Sequence, residues 1–231
     1  MALKTNHIYP ISQDRPDSSY AEAYRNIQTN VDLLSENLRA VLVTSARPGE
    51  GKTSIAANLA IVAAQASKRV LLVDADLRHP QLAKRLHISS DLGLTSVLRQ
   101  TCELGEAIVS TEVPGLQLLA SGPIGVNSPS LLSSLAFTSL VGKLKSRYDL
   151  IVFDAPPVLS VSDPLVLSRN LDGIIFVVDG KATNRLAAAR ALYEINKVQG
   201  KVIGGILNRG PKDTDNSYYY SPSQESAMPL N

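Results

Sequence analysis

The chain has 231 residues, 44% of them hydrophobic and 19% charged, with a formal net charge of +2. This suits one α/β domain with terminal extensions, and no strong field points to nucleic acid or anionic lipid as a partner. Cys102 is the single cysteine and His7, His79 and His87 are scattered, which excludes an internal disulfide and a His/Cys metal centre and suits a reducing cytoplasm.

Residues 1–17 are polar and contain proline, and read as a flexible arm. Ser19 and Glu22 have capping-box spacing, which predicts a helix start, and Ile27, Val31, Leu34 and Leu38 carry an apolar face at helical period. Six apolar runs then read as buried strands, at 40–45, 69–75, 116–121, 149–155, 173–179 and 201–208. Helical patterns separate them, at about 52–66, 80–87, 129–146, 163–170 and 184–198. The alternation predicts an α/β fold, a mostly parallel β-sheet flanked by helices on both faces. Functional residues are then expected on loops at the carboxyl ends of strands. The expected organisation is an arm (1–17), a folded domain (18–210) and a flexible tail (211–231) in which Tyr218, Tyr219 and Tyr220 stand in a row. The apolar runs fall well short of the roughly 20 residues that span a bilayer. No direct membrane insertion is expected.

The first strand opens into ARPGEGKT (46–53), followed by a helical pattern. This fits G-x-x-x-x-G-K-[ST] except that Ala46 replaces the first glycine, which a negative φ would tolerate. In such a phosphate loop the backbone N–H groups wrap the phosphates, helped by the positive end of the helix dipole. Pro48, Gly49, Glu50, Gly51, Lys52, Thr53 and Ser54 are the candidate nucleotide contacts. Lys52 is expected to reach the β/γ oxygens and to be solvated before they arrive, and the Thr53 hydroxyl to ligate Mg²⁺. Two further strands end in carboxylates: VLLVDADLR supplies Asp74, Asp76 and Arg78, and LIVFDAPP supplies Asp154. Each emerges at the sheet rim, where phosphoryl transfer needs a cation site and a group to orient or deprotonate the nucleophile. Asp163 and Asp172 read as caps or turn residues, and Tyr148 and Tyr193 as packed side chains.

These three motifs together resemble the bacterial tyrosine kinases (BY-kinases), in particular the stand-alone kinases of capsule and exopolysaccharide clusters. The resemblance covers the chain from about residue 18 to the tail. It implies a P-loop fold like that of the MinD/ParA ATPases, with ATP and Mg²⁺ as cofactors. It implies phosphorylation of tyrosine, with Tyr218, Tyr219 and Tyr220 as the autophosphorylation cluster. By position, Lys52 and Thr53 hold phosphates and Mg²⁺, Asp76 and Asp154 organise the metal, and Asp74 accepts the tyrosine proton. Asn208 and Arg209 match the adenine contact of related ATPases. The family's E-x-x-R-x-x-R helix motif, used for subunit contacts, keeps Glu22 and Arg25 but has Gln28 at its last position. The partners implied are a homo-oligomer, a separate transmembrane adaptor of the polysaccharide co-polymerase type, and a tyrosine phosphatase. The alternative is a MinD/ParA-type ATPase switch without kinase activity; such proteins usually have lysine where this chain has Arg47.

Overall fold

A computed structural model describes residues 18–34, 37–123 and 128–210 of the chain. The proposed arm and tail therefore lie outside the described residues. In chain order, α1 (Ser19–Leu34) and β1 (Ala40–Ser45) lead into α2 (Lys52–Gln65) and β2 (Val70–Asp74). Three short helices follow, α3 (Leu82–Arg85), α4 (Leu94–Leu98) and α5 (Leu104–Ala107), then β3 (Ile108–Ser110) and β4 (Leu116–Leu119). The second half comprises α6 (Ser128–Leu132), α7 (Leu135–Lys145), β5 (Leu150–Asp154), α8 (Asp163–Ser168), β6 (Gly173–Asp179), α9 (Arg185–Lys197) and β7 (Val202–Asn208).

The strands form one seven-stranded sheet in the order β3-β4-β2-β5-β1-β6-β7. All neighbours are parallel except β3 against β4. Every residue of β1, β2 and β5 is buried, as continuous apolar runs require when helices cover both faces. Successive side chains point to opposite faces. Leu42, Leu71 and Phe153 thus join one core with Phe137, Leu140 and Leu167, while Val41, Val43 and Leu72 join the other with Ile55, Leu59 and Ile61. Helix α2 is buried almost all round, its alanines letting it lie close to the sheet. Among the described residues no helix is long and apolar enough to cross a membrane.

The predicted strands are present with ends trimmed by up to two residues, but several helices differ from expectation. Ser18, not Ser19, caps α1 by accepting a hydrogen bond from Ala21 N at 3.1 Å. Glu22 turns instead to Arg25. The expected helix at 129–146 is two helices, because Ser134 stops the first and caps α7 by accepting from Phe137 N. The helix expected at 80–87 shrinks to the single turn of α3. Helices α4 and α5 and the edge strand β3 are too short to show a periodic signal. Leu34 is exposed on α1, whereas Val31 is buried. Tyr148 packs as expected, its hydroxyl donating to Gln117 Oε1 at 2.6 Å, but Tyr193 is 63% exposed. Asp172 caps the start of β1 through Arg39 N and Ala40 N and pairs with Lys145.

Candidate active site

The site forms where β1, β5 and β2 end side by side. The loop after β1 turns into α2 through Gly49 (φ +82°) and Gly51 (φ +95°), left-handed conformations that glycine adopts without strain. Gly51 is needed for a second reason: a Cβ there would lie 2.1 Å from Asn208 Nδ2. Ala46 has no positive φ and is fully buried, so its substitution for glycine costs the loop nothing.

The end of β7 holds this loop from behind. Asn208 Nδ2 donates to Glu50 O at 3.0 Å, and an Arg209 guanidinium nitrogen donates to Gly49 O at 2.5 Å. Arg209 also pairs with the buried Asp179 at 2.6 Å. The Glu50 carboxylate is buried and accepts from Arg47 N and from the Thr183 hydroxyl at 2.6 Å. Glu50 thus faces the frame of the loop, and Thr183 is part of the site although no local pattern in the sequence marks it. Asp179 does have a signal, since it ends an apolar strand as Asp74 and Asp154 do.

Asp74 and Asp154 are paired in register on β2 and β5, which delivers both carboxylates to the same rim. Lys52 Nζ lies 3.3 Å from Asp76 Oδ2, 3.5 Å from Asp154 Oδ1 and 3.2 Å from Thr53 Oγ1. Its side chain is only 12% exposed, which corrects the expectation of a solvated lysine. The physical reason is that two buried carboxylates need a counter-charge in a site of low dielectric. Burial alone would lower the Lys52 pKa, but Asp154 and Asp76 outweigh it and hold the ammonium above its usual value. Asp154 is pushed up by burial, opposed by the Lys52 charge and a hydrogen bond from Thr53.

Asp74 is strongly perturbed as well. Burial, then the Asp154 charge, raises it to about 7, against the opposing hydrogen bonds from Leu82 N and Gln81 N. Those two bonds, 2.9 and 3.0 Å, make Asp74 the anchor of α3. Asp76 accepts from His79 N at 3.0 Å. A carboxyl tuned near neutrality beside a phosphate loop can take a proton from an incoming hydroxyl.

Arg78 does not join the three aspartates. It forms a forked pair with the completely buried Asp163, at 3.2 and 3.3 Å. The loop after β2 is thereby tied to the start of α8. Glu22 and Arg25 pair with each other at 2.5 Å, both half-exposed on α1. Tyr218, Tyr219 and Tyr220 lie outside the described residues.

The oxygen set of Thr53, Asp76 and Asp154 fits Mg²⁺ chemically: hard donors, two of them anionic, converging on one cationic point. Among the described residues no three His, Cys, Asp or Glu side chains could by themselves hold a metal. Mg²⁺ characteristically needs fewer, since water and phosphate oxygens complete its shell.

A family model described as an AAA domain matches residues 38–203. The chain is 36% identical over 220 residues to the tyrosine-protein kinase YwqD of Bacillus subtilis (strain 168), covering 94% of this chain and 93% of that one. The crystal structure of the chimerical protein CapA2B2 superposes with a TM-score of 0.84 at 33% identity, over 87% of this chain and 90% of the other. The septum site-determining protein MinD of Pyrococcus horikoshii OT3, complexed with Mg-ADP, superposes with a TM-score of 0.64 at 25% identity, over 74% of this chain and 70% of the other.

Proposed function

Because this chain belongs to the bacterial tyrosine kinases, we propose that it transfers the γ-phosphoryl group of ATP to tyrosine hydroxyls, its own tail tyrosines among them. It is a protein-tyrosine kinase on a MinD-like P-loop fold, and it binds a nucleotide with Mg²⁺. The observation that carries the site reading is Lys52 poised between Asp76 and Asp154, beside an Asp74 tuned to about 7.

The loop N–H groups and Lys52 bind the phosphates, with Lys52 leaving its carboxylate partners as the phosphate charge arrives. Thr53, Asp76 and Asp154 would hold Mg²⁺, which when bound would neutralise charge on the transferring phosphoryl group. A phenol has a pKa of about 10, so Asp74 takes its proton as the tyrosine oxygen forms the new bond to the γ-phosphorus. The bond from that phosphorus to the bridging oxygen breaks, and ADP leaves. Asn208 and Arg209 keep the loop in shape and stand at its edge to meet the adenine. Phosphoryl acceptors are Tyr218, Tyr219 and Tyr220 of a neighbouring copy in a homo-oligomer that uses Glu22 and Arg25. A separate transmembrane adaptor recruits the kinase to the membrane, a phosphatase resets it, and the cycle regulates capsular or exopolysaccharide synthesis and export. The motif resemblance supports these last assignments.

The test is incubation with Mg-ATP followed by phosphotyrosine detection, with Asp74→Asn in parallel. Label on the wild type and its loss in the variant is the expected result. ATP turnover without any phosphotyrosine would overturn the reading in favour of an ATPase switch.

A further inference from the structure

The 14 residues between Asp76 and the next acid, Asp91, contain Arg78, His79, Lys84, Arg85 and His87 and no carboxylate. This basic stretch hangs on the phosphoryl-transfer site itself. Its turn is anchored by Asp74 through Gln81 N and Leu82 N, and by Asp76 through His79 N. Lys84 and Arg85 are two and three residues past Leu82, about 3–4.5 Å of helix rise. Their backbone thus lies within one helical turn of the residues that hydrogen-bond Asp74.

Lys84 and Arg85 have no ion-pair partner among the described residues. His79 and Lys84 are exposed. Arg85 Nε is buried without any hydrogen-bond partner, an uncommon state for a charged donor. Arg78 is committed to Asp163 and belongs to the scaffold of the strip. The tail that carries the tyrosines has the opposite charge. Asp213 and Asp215 precede Tyr218, Tyr219 and Tyr220, Glu225 follows, and Lys212 is the only cation of the segment. From Asp215 to Tyr218 is three residue steps, about 10 Å extended, and from Asp213 five, about 17 Å. Extended lengths are upper limits, so both acidic residues can fold back to cations on the single turn that Asp74 anchors while a tyrosine is seated there.

We propose that His79, Lys84 and Arg85 form a docking strip that reads the acidic residues ahead of the tyrosine run in the tail of a second copy of this chain. The proposal rests on the kinase reading above. The strip selects the acceptor by charge, placing acidic tyrosine segments ahead of neutral ones. His79 and Lys84 are exposed, so their contacts act chiefly on capture of the substrate and fade as salt screens them.

The experiment uses the full chain with Tyr218, Tyr219 and Tyr220 changed to phenylalanine as enzyme. The acceptors are two peptides spanning residues 211–224, one natural and one carrying Asp213→Asn and Asp215→Asn. The neutral peptide should show a KM about 3- to 20-fold higher with kcat preserved, the range expected of two exposed pairs. The difference should shrink between low salt and about 0.5 M salt. Lys84→Glu should erase the preference for the natural peptide while leaving the rate on the neutral peptide unchanged. A misfolded variant would lose both rates, and the comparison of peptides on the unaltered strip stands independently of it. Equal KM values for the two peptides at low salt overturn the docking strip and leave the kinase reading intact. Absence of label on both peptides and on the wild-type chain overturns the kinase reading, and the strip with it.

Discussion

Lys52 and Asp74 have opposite effects on the resting protein, and their variants should separate chemistry from stability. Lys52→Met is expected to reduce phosphotyrosine by about 100-fold or more, as for other preorganised electrostatic groups. It should also lower the melting temperature by several degrees at pH 8, because it strands Asp76 and Asp154 without their cation. The loss should be smaller at pH 5, where a buried carboxyl with a raised pKa can take up a proton. Asp74 works the other way. Its native pKa of about 7 lies above the usual carboxylate value of about 3.9, so the native state holds a proton that the unfolded chain has released. Stability therefore falls as pH rises from about 4, and the penalty is complete above about 7. Asp74→Asn should abolish phosphoryl transfer while raising apo stability at pH 8, by at most about 4 kcal/mol, with the gain vanishing below pH 4. Calorimetry across that pH range checks both variants, and nucleotide titration should show that Asp74→Asn still binds Mg-ATP.

Two elements make predictions that depend on geometry the sequence could not supply. In the phosphate loop, Gly49 and Gly51 share a positive φ but differ in surroundings. A Cβ on Gly49 meets nothing within 4 Å, whereas one on Gly51 strikes Asn208. Gly49→Ala should cost roughly 1 kcal/mol of backbone strain. Gly51→Ala should cost more and should also detach β7 from the loop, weakening nucleotide binding measured by titration. At α1 the cap decides. Ser18→Ala should destabilise by about 0.5–2 kcal/mol in urea unfolding, the usual worth of an N-cap. Ser19→Ala should stay within about 0.5 kcal/mol. Equal effects of the two substitutions would contradict the observed cap.

At the scale of the molecule, the sheet places all three aspartates and Lys52 at one end, and the chain leaves the described domain at that same end, since β7 runs parallel to its neighbour β6. From Gly210 to Tyr218 is eight residue steps, at most about 26–29 Å when extended. That is enough to pass beyond its own subunit. Transfer between copies is therefore expected. Mixing Lys52→Met protein that keeps its tail with a competent chain whose Tyr218, Tyr219 and Tyr220 are phenylalanine should label the Lys52→Met tail. No label on that tail, under conditions where wild type labels itself, would exclude transfer between subunits. Each phosphate adds about −1.5 to −2 charge, so the labelled tails should repel and the proposed oligomer should loosen, which light scattering before and after ATP would read.

Much of this protein is legible in its sequence because the information is local. A phosphate loop is contiguous in the chain, so ARPGEGKT could be recognised as one, and strands buried on both faces show as unbroken apolar runs whose ends locate Asp74 and Asp154. Periodicity also found the long helices, but not α4, α5 or β3, which are shorter than any pattern that could announce them. What only the tertiary structure decided are contacts between residues far apart in the chain. Asn208 and Arg209 brace a loop some 160 positions earlier, with separations of 158 and 160 residues. Thr183 reaches Glu50, and Arg78 finds Asp163. Lys52 could be assigned to phosphate from its motif, yet its burial between two carboxylates follows from β5 lying between β1 and β2 in the sheet. Strand order is set by packing of the whole core, and no local run of residues encodes it. Local chemistry thus points to the candidate groups, while the fold sets their distances, their burial and so their charge.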